Sequence, residues 1–273
     1  MVTRVSDGDG SVGRYRSAQG RLTRALVLDM RRLHRLIAPS RLQATLPDWI
    51  EAVRALIGEY GDASSSLAAD FYDGQREAAG VAGRFAVPIP DPPPDEQVDN
   101  SMRWATKDLW PRDPEASSTT EAQKAPLATR LDAAESKAEQ VAQRLVAEQG
   151  RATMRDAVDR DRYAVAYARA AALGSCSFCR LMASRGAVYR NAQTAGREAN
   201  ERFTGNASVV KFHNDCHCTI VPVFRGQRFE LSPHAAEWDR IYREYAAGHP
   251  GDQLRLFRRA LAEHDQHPLP GAH

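Results

Sequence analysis

Every cysteine in this chain belongs to one pattern. Cys176 and Cys179 form a Cys-x-x-Cys pair, and after thirty-three intervening residues His213, Cys216 and Cys218 follow. Thiolate sulfur and imidazole nitrogen are ligands that zinc takes in tetrahedral geometry. A Cys-x-x-Cys turn places two sulfurs within reach of one ion, and a distant second segment closes the coordination sphere. A structural zinc is therefore expected, with Cys176, Cys179, His213, Cys216 and Cys218 as five candidates for four positions. On an extended strand Cys216 and Cys218 point to the same face, so spacing does not choose between them, while His217 faces the other way.

Other cysteine chemistries fit less well. Two disulfides suit an exported chain, but residues 1–20 are polar and arginine-bearing, with no apolar run before a small-residue cleavage site. A thioredoxin-like redox pair needs a strand before Cys176 and a long helix after Cys179, and it leaves the downstream cluster unexplained. Unligated buried cysteines are the remaining alternative.

The elements that must position these residues are mostly helical at first. Residues 1–20 are expected to form a disordered basic leader. From there Leu22, Leu26, Leu33, Leu36 and Ile37 fall at helical spacing until Pro39. Two more helices are predicted over 46–60 (Trp49, Val53, Leu56, Ile57) and 64–79 (Leu67, Phe71, Tyr72), so that 21–86 forms a helical N-terminal region. Residues 87–117 are expected to be a proline-rich connector, with Trp104 and Trp110 pinning a short helix within it. Residues 118–149 carry the stripe Leu127, Leu131, Ala134, Ala138, Val141 and Leu145, which predicts a long amphipathic helix buried within its own chain.

After Gly150 the pattern shortens. Residues 163–167, 186–189 and 219–224 are β-prone, and 191–202 is a weak helix leading to a turn at 204–207. Residues 150–227 are thus expected to be a small α+β module knit by the metal. Residues 228–273 form a helical tail, in which Ser232 caps a helix with Pro233 at its first position. Trp238, Ile241, Tyr242 and Tyr245 line one face of it, Leu254, Phe257 and Leu261 repeat the theme, and a disordered end follows. The fold class is α+β.

Charge is nearly balanced, 37 Lys+Arg against 35 Asp+Glu, so no global polyanion affinity is announced. The distribution is uneven: Arg4, Arg14, Arg16, Arg21, Arg24, Arg31, Arg32, Arg35 and Arg41 face only Asp7, Asp9 and Asp29. That stretch suits a solvated helix face or contact with a DNA backbone. No apolar stretch reaches the length of a membrane span, so a soluble protein is expected.

The run Cys-x-x-Cys, then Arg180 to Tyr189, then Phe212 to Phe224 (Phe-His-Asn-Asp-Cys-His-Cys-Thr-Ile-Val-Pro-Val-Phe), resembles the MuF-type minor head proteins of tailed bacteriophages, especially those of actinobacterial hosts. Leu67-Ala-Ala-Asp-Phe-Tyr-Asp73 resembles the N-terminal helical part of the same group. The pattern departs at His217, where relatives often have Arg or Asp, and this puts a second imidazole near the ligand set.

The resemblance implies a head morphogenesis role. The chain would meet portal and capsid or scaffold proteins, first in the host cytoplasm and then in the virion head; contact with packaged DNA through the N-terminal arginines is a separate expectation that rests on their charge. Some relatives carry the label of capsid maturation protease, but the residues argue against that activity here. There is no Gly-x-Ser-x-Gly elbow and no His-Glu-x-x-His motif. Ser184, His213 and Asp215 can be assembled on paper, yet His213 is claimed by the metal. Cys216 and His217, as sequence neighbours, diverge on a strand. A zinc nucleic-acid protein is a further alternative, but the linker is too long for a ββα finger, and no catalytic constellation accompanies 207–224.

Overall fold

A computed structural model describes residues 3–110, 121–189 and 218–265. The chain is mainly helical with short strands, an α+β fold. It divides into two compact units, each assembled from pieces remote in sequence. The first comprises Met1–Ala18, Ser65–Pro90 and Gly150–His273, and the second Gln19–Ser64 and Asp91–Gln149.

The second unit is a packing of helices. Its segments belong to α1 (Gly10–Leu33), α2 (Leu42–Ala78), α3 (Asp95–Ala105), the short α4 (Glu121–Lys124) and α5 (Leu127–Arg160). Leu26 and Met30 of α1, Trp49, Val53 and Ile57 of α2, and Met102 of α3 bury against Ala138, Val141 and Leu145 of α5. The predicted α5 stripe is therefore buried within the chain, with Leu127, Leu131 and Ala134 in a neighbouring cluster beside Leu46 and Leu109. Small residues let the helices approach: a Cβ on Gly61 would meet Gln149 Cγ at 3.2 Å.

Two helices predicted over 46–60 and 64–79 are one continuous α2. The glycine and serine residues between them read locally as a break. Ser64 instead makes a reciprocal lock with α1: Gln19 Nε2 donates to the Ser64 carbonyl at 3.0 Å, and Ser64 Oγ donates to Gln19 Oε1 at 3.0 Å. The proline-rich connector likewise contains a full helix, α3, whose first turn carries Asp95 and Glu96 where the helix dipole favours them. Trp110, half-buried against the apolar clusters, does the pinning, whereas Trp104 is 51% exposed.

The expectation of a disordered leader is corrected in the first unit. Thr3–Ser6 forms β1, and α1 begins at Gly10. Val5, Val12 and Tyr15 are buried there, with Tyr15 stacked on Phe71 at 4.5 Å between ring centroids. Three apolar residues spread over eleven positions are too sparse to be seen as periodic, and their partners lie far along the chain. β1 pairs in parallel with β4 (Gln227–Glu230), Thr3 opposite Gln227 and Val5 opposite Phe229.

The other sheet of this unit joins β2 (Ala164–Ala170) antiparallel to β3 (Thr219–Phe224). All six β3 residues are buried, as a continuous apolar run requires. The register slips between Ala164 and Ala166, and the extra residue, Val165, is exposed, the geometry of a β-bulge. Tyr189 bridges to Tyr167 of β2, so the β-prone residues 186–189 also reach this sheet. They are turned onto it by Gly186, whose φ of +69° is a left-handed conformation that suits glycine after the end of a helix.

Among the described residues the first unit also holds α6 (Ser177–Ser184), α7 (Pro233–Tyr245) and α8 (Gln253–His264). The predicted cap is in place, with Ser232 before Pro233 and its hydroxyl accepting from the Ala235 N–H. Trp238, Ile241, Phe257 and Leu261 bury together. The weak helix expected over 191–202, the turn at 204–207 and the end after 265 lie outside the described residues.

Candidate metal centre

Cys176 ends the loop after β2 and caps α6, its sulfur accepting the Cys179 N–H at 3.4 Å. A helix N-terminus favours negative charge on a side chain so placed. Cys179 lies one turn further on, buried, and Cys218 stands just before β3, also buried. All three sulfurs belong to one apolar cluster with Leu181, Trp238 and Phe257. The two halves of the sequence pattern, 39 positions apart between Cys179 and Cys218, thus border the same apolar cluster. His213 and Cys216 lie outside the described residues, as do His217 and Asp215. Among the described residues, no group of three or more His, Cys, Asp or Glu side chains is placed to hold a metal ion.

Arg180, which spacing alone did not single out, organises the turn. It is fully buried, and its Nε donates to the Ser175 carbonyl at 2.8 Å while Nη2 donates to the Leu173 carbonyl. The guanidinium pairs with Asp265, just past α8, and lies 5.3 Å from the Trp238 ring centroid. One cation thus fixes the loop that presents Cys176 and ties it to the helices behind. Burial pushes this guanidinium down, and the neighbouring Cys176 sulfur pulls it back up. Arg16 of α1 is likewise pushed down by burial and pulled back by Cys218 and Asp7. The signal available in the sequence was a lone arginine opening the apolar run Leu181-Met182-Ala183 directly after the second cysteine.

Two arrangements resemble hydrolytic machinery and differ from it in geometry. Ser184 is 2% exposed beside an open groove of about 460 Å³, and its hydroxyl donates to the Leu181 carbonyl at 2.9 Å. Asp7, Ser232 and His234 also meet. The Ser232 hydroxyl donates to Asp7 Oδ2 at 2.7 Å, its N–H donates to Oδ1 at 2.6 Å, and His234 Nε2 is 3.1 Å from the same hydroxyl. In a catalytic triad the carboxylate orients the far ring nitrogen of histidine. Here it grips the serine itself, which is 3% exposed, and the cluster is a clasp between the β1 turn and the start of α7.

Fold and site together define an α+β chain with a cysteine-bearing module, and no helix among its described residues is long and apolar enough to cross a membrane. The chain belongs to the VG15 protein family, a family of phage proteins, whose profile matches residues 8–247. No curated protein and no solved structure matches it significantly.

Proposed function

We propose that the chain is a MuF-type minor head protein: a low-copy structural component that associates with the portal or the inner capsid wall while the procapsid forms and remains in the virion head. Membership of a phage family supports the viral setting. The observation that carries the reading to this module is that Cys176, Cys179 and Cys218 all border one apolar cluster.

A structural zinc would be held there by four of Cys176, Cys179, His213, Cys216 and Cys218. Its chemistry is that of a cross-link: thiolates and imidazole bind only when deprotonated, and binding free energy becomes folding free energy. The described cysteines suit thiolate ligation by type and setting, two being buried and the third at a helix N-terminus where negative charge is favoured, but the three by themselves are not placed to share an ion. The role of this chain's residues is to preorganise the sulfurs, with Arg180 fixing the turn and β3 carrying Cys218 into the cluster.

Two measurements test the reading. Metal analysis of purified protein should return one zinc per chain, lost in Cys176→Ser and Cys179→Ser. Co-expression with portal, scaffold and major capsid proteins should place the chain in isolated procapsids at low copy number. Its exclusion from them would sink the head assignment. Cleavage of the capsid precursor, abolished by one Ser, Cys or His substitution, would replace it with the protease reading.

A further inference from the structure

The exposed face of α1 carries an arginine row of which Arg31 alone has an ion-pair partner among the described residues. Within the second unit Arg21, Arg24, Leu28, Arg31 and Arg35 recur three and four residues apart and are all exposed, so they share one face of α1 and its 3₁₀ extension (His34–Leu36). At 1.5 Å per residue the row from Arg21 to Arg35 is about 21 Å long. Arg41 is exposed a few residues further on. Arg31 is held by Glu139 at 2.7 Å, and Arg32 by Asp29 at 2.7 Å. Arg21, Arg24, Arg35 and Arg41 have no ion-pair partner among the described residues.

The arginines of the C-terminal helices behave differently. Arg240 bonds Glu237 and Glu244, Arg243 bonds Asp239, Arg255 bonds Asp252, and Arg259 bonds Glu263. A solvated helix face looks like those, with acids three or four residues away. From residue 19 to 41 the only acid is Asp29, against six arginines.

We infer that this face binds the phosphate backbone of duplex DNA. The guanidinium fork matches phosphate oxygens two at a time. A straight, rigid row fits a straight, rigid polyanion. A protein partner would want an apolar centre inside its polar rim, whereas α1 and its 3₁₀ extension expose only Leu28 and Leu36, well separated along the row, and nucleic-acid interfaces are the more polar and more positive kind. Contacts to phosphate carry no sequence information, so binding is expected to be sequence-independent.

The test is fluorescence anisotropy of a labelled random-sequence DNA duplex with the full chain between about 50 and 200 mM salt. Each phosphate contact contributes about −0.9 to the slope of log K against log salt. The triple variant Arg21→Gln, Arg24→Gln, Arg35→Gln should therefore bind with a slope shallower by about 2.7, and about tenfold or more weaker at the lower salt. A control variant with the same charge change, Arg240→Gln, Arg255→Gln, Arg259→Gln, should keep the wild-type slope. Circular dichroism checks that both variants fold.

Three results would overturn the inference: no binding at low salt, an equal effect of both triple variants, or displacement of the duplex by poly-glutamate as readily as by unlabelled DNA. The last would assign the face to an acidic protein. Zinc content and procapsid incorporation do not enter these measurements, so the head assignment stands or falls separately.

Discussion

Asp161 shows how a single side chain can hold a unit together. Arg76 Nε donates to its Oδ2 at 2.8 Å and the Tyr72 hydroxyl to the same oxygen at 3.2 Å, while the Tyr163 N–H donates to Oδ1 at 3.0 Å. The Arg76 and Asp161 side chains are 10% and 2% exposed, and Arg76 spends its remaining donors on the carbonyls of Gly83 and Ala82. Removing one member of such a buried pair strands the other's charge, so Asp161→Ala should cost about 3–5 kcal/mol in chemical denaturation, with helicity otherwise retained. A second residue-scale prediction concerns pH. The hydrogen bond from Tyr60 to Asp29, 2.6 Å long, lowers the Asp29 carboxyl and pushes the Tyr60 phenol up to about 12. For Asp29 the depressed value means a contribution present above the ordinary carboxylate range and lost as pH falls through the folded value. For Tyr60 the contribution is complete below its ordinary value near 10 and disappears as pH climbs from there through about 12. In Asp29→Asn the Tyr60 resonance, followed by NMR, should titrate back toward 10. A titration unchanged by that substitution would refute the coupling.

At the scale of elements, the start of α7 does two jobs. Ser232 caps the helix and grips Asp7 through both its hydroxyl and its N–H. Losing a cap costs about 1 kcal/mol, and leaving a buried carboxylate short of a donor adds about as much again. Ser232→Ala is therefore expected to destabilise by about 2 kcal/mol and Ser232→Gly by roughly 1 to 1.5, because the hydroxyl contact to Asp7 is lost in both while glycine is itself a tolerable cap; thermal melts of the two variants compare them directly. The helix itself was legible because a capping serine, a proline at the first helical position and aromatic residues at helical spacing are local signals. So was the long α5 stripe. The unbroken α2 was not, since its glycine and serine residues carry a local preference that only the lock between Ser64 and Gln19, forty-five positions apart, overrides. β1 was hidden for a related reason: a four-residue strand has no periodicity to read, and its partner β4 lies more than 220 residues downstream.

For the whole molecule, the zinc proposed for one module predicts a selective response to chelation. Chelation should speed amide exchange in α6 and β3 of the first unit and leave Val53, Ile57 and Val141 of the second as protected as before. Uniform loosening of both units would argue against a local clasp. Composition and spacing by themselves determined the chemistry on offer: which residue types can take a soft metal, where helices start and stop, and which stretch carries unneutralised positive charge. These follow from side-chain chemistry and from interactions within a few turns, which a linear reading sees. The tertiary structure alone decided that residues 3–18 belong to the same compact unit as the cysteines. It also decided that Arg180 is a buried tie rather than a surface charge, and that an Asp, a Ser and a His form a clasp rather than a catalyst. Each of these depends on groups tens to hundreds of positions apart. The preference of any one of them for its place is smaller than the entropy of the chain between, and becomes visible only when a whole core closes around it.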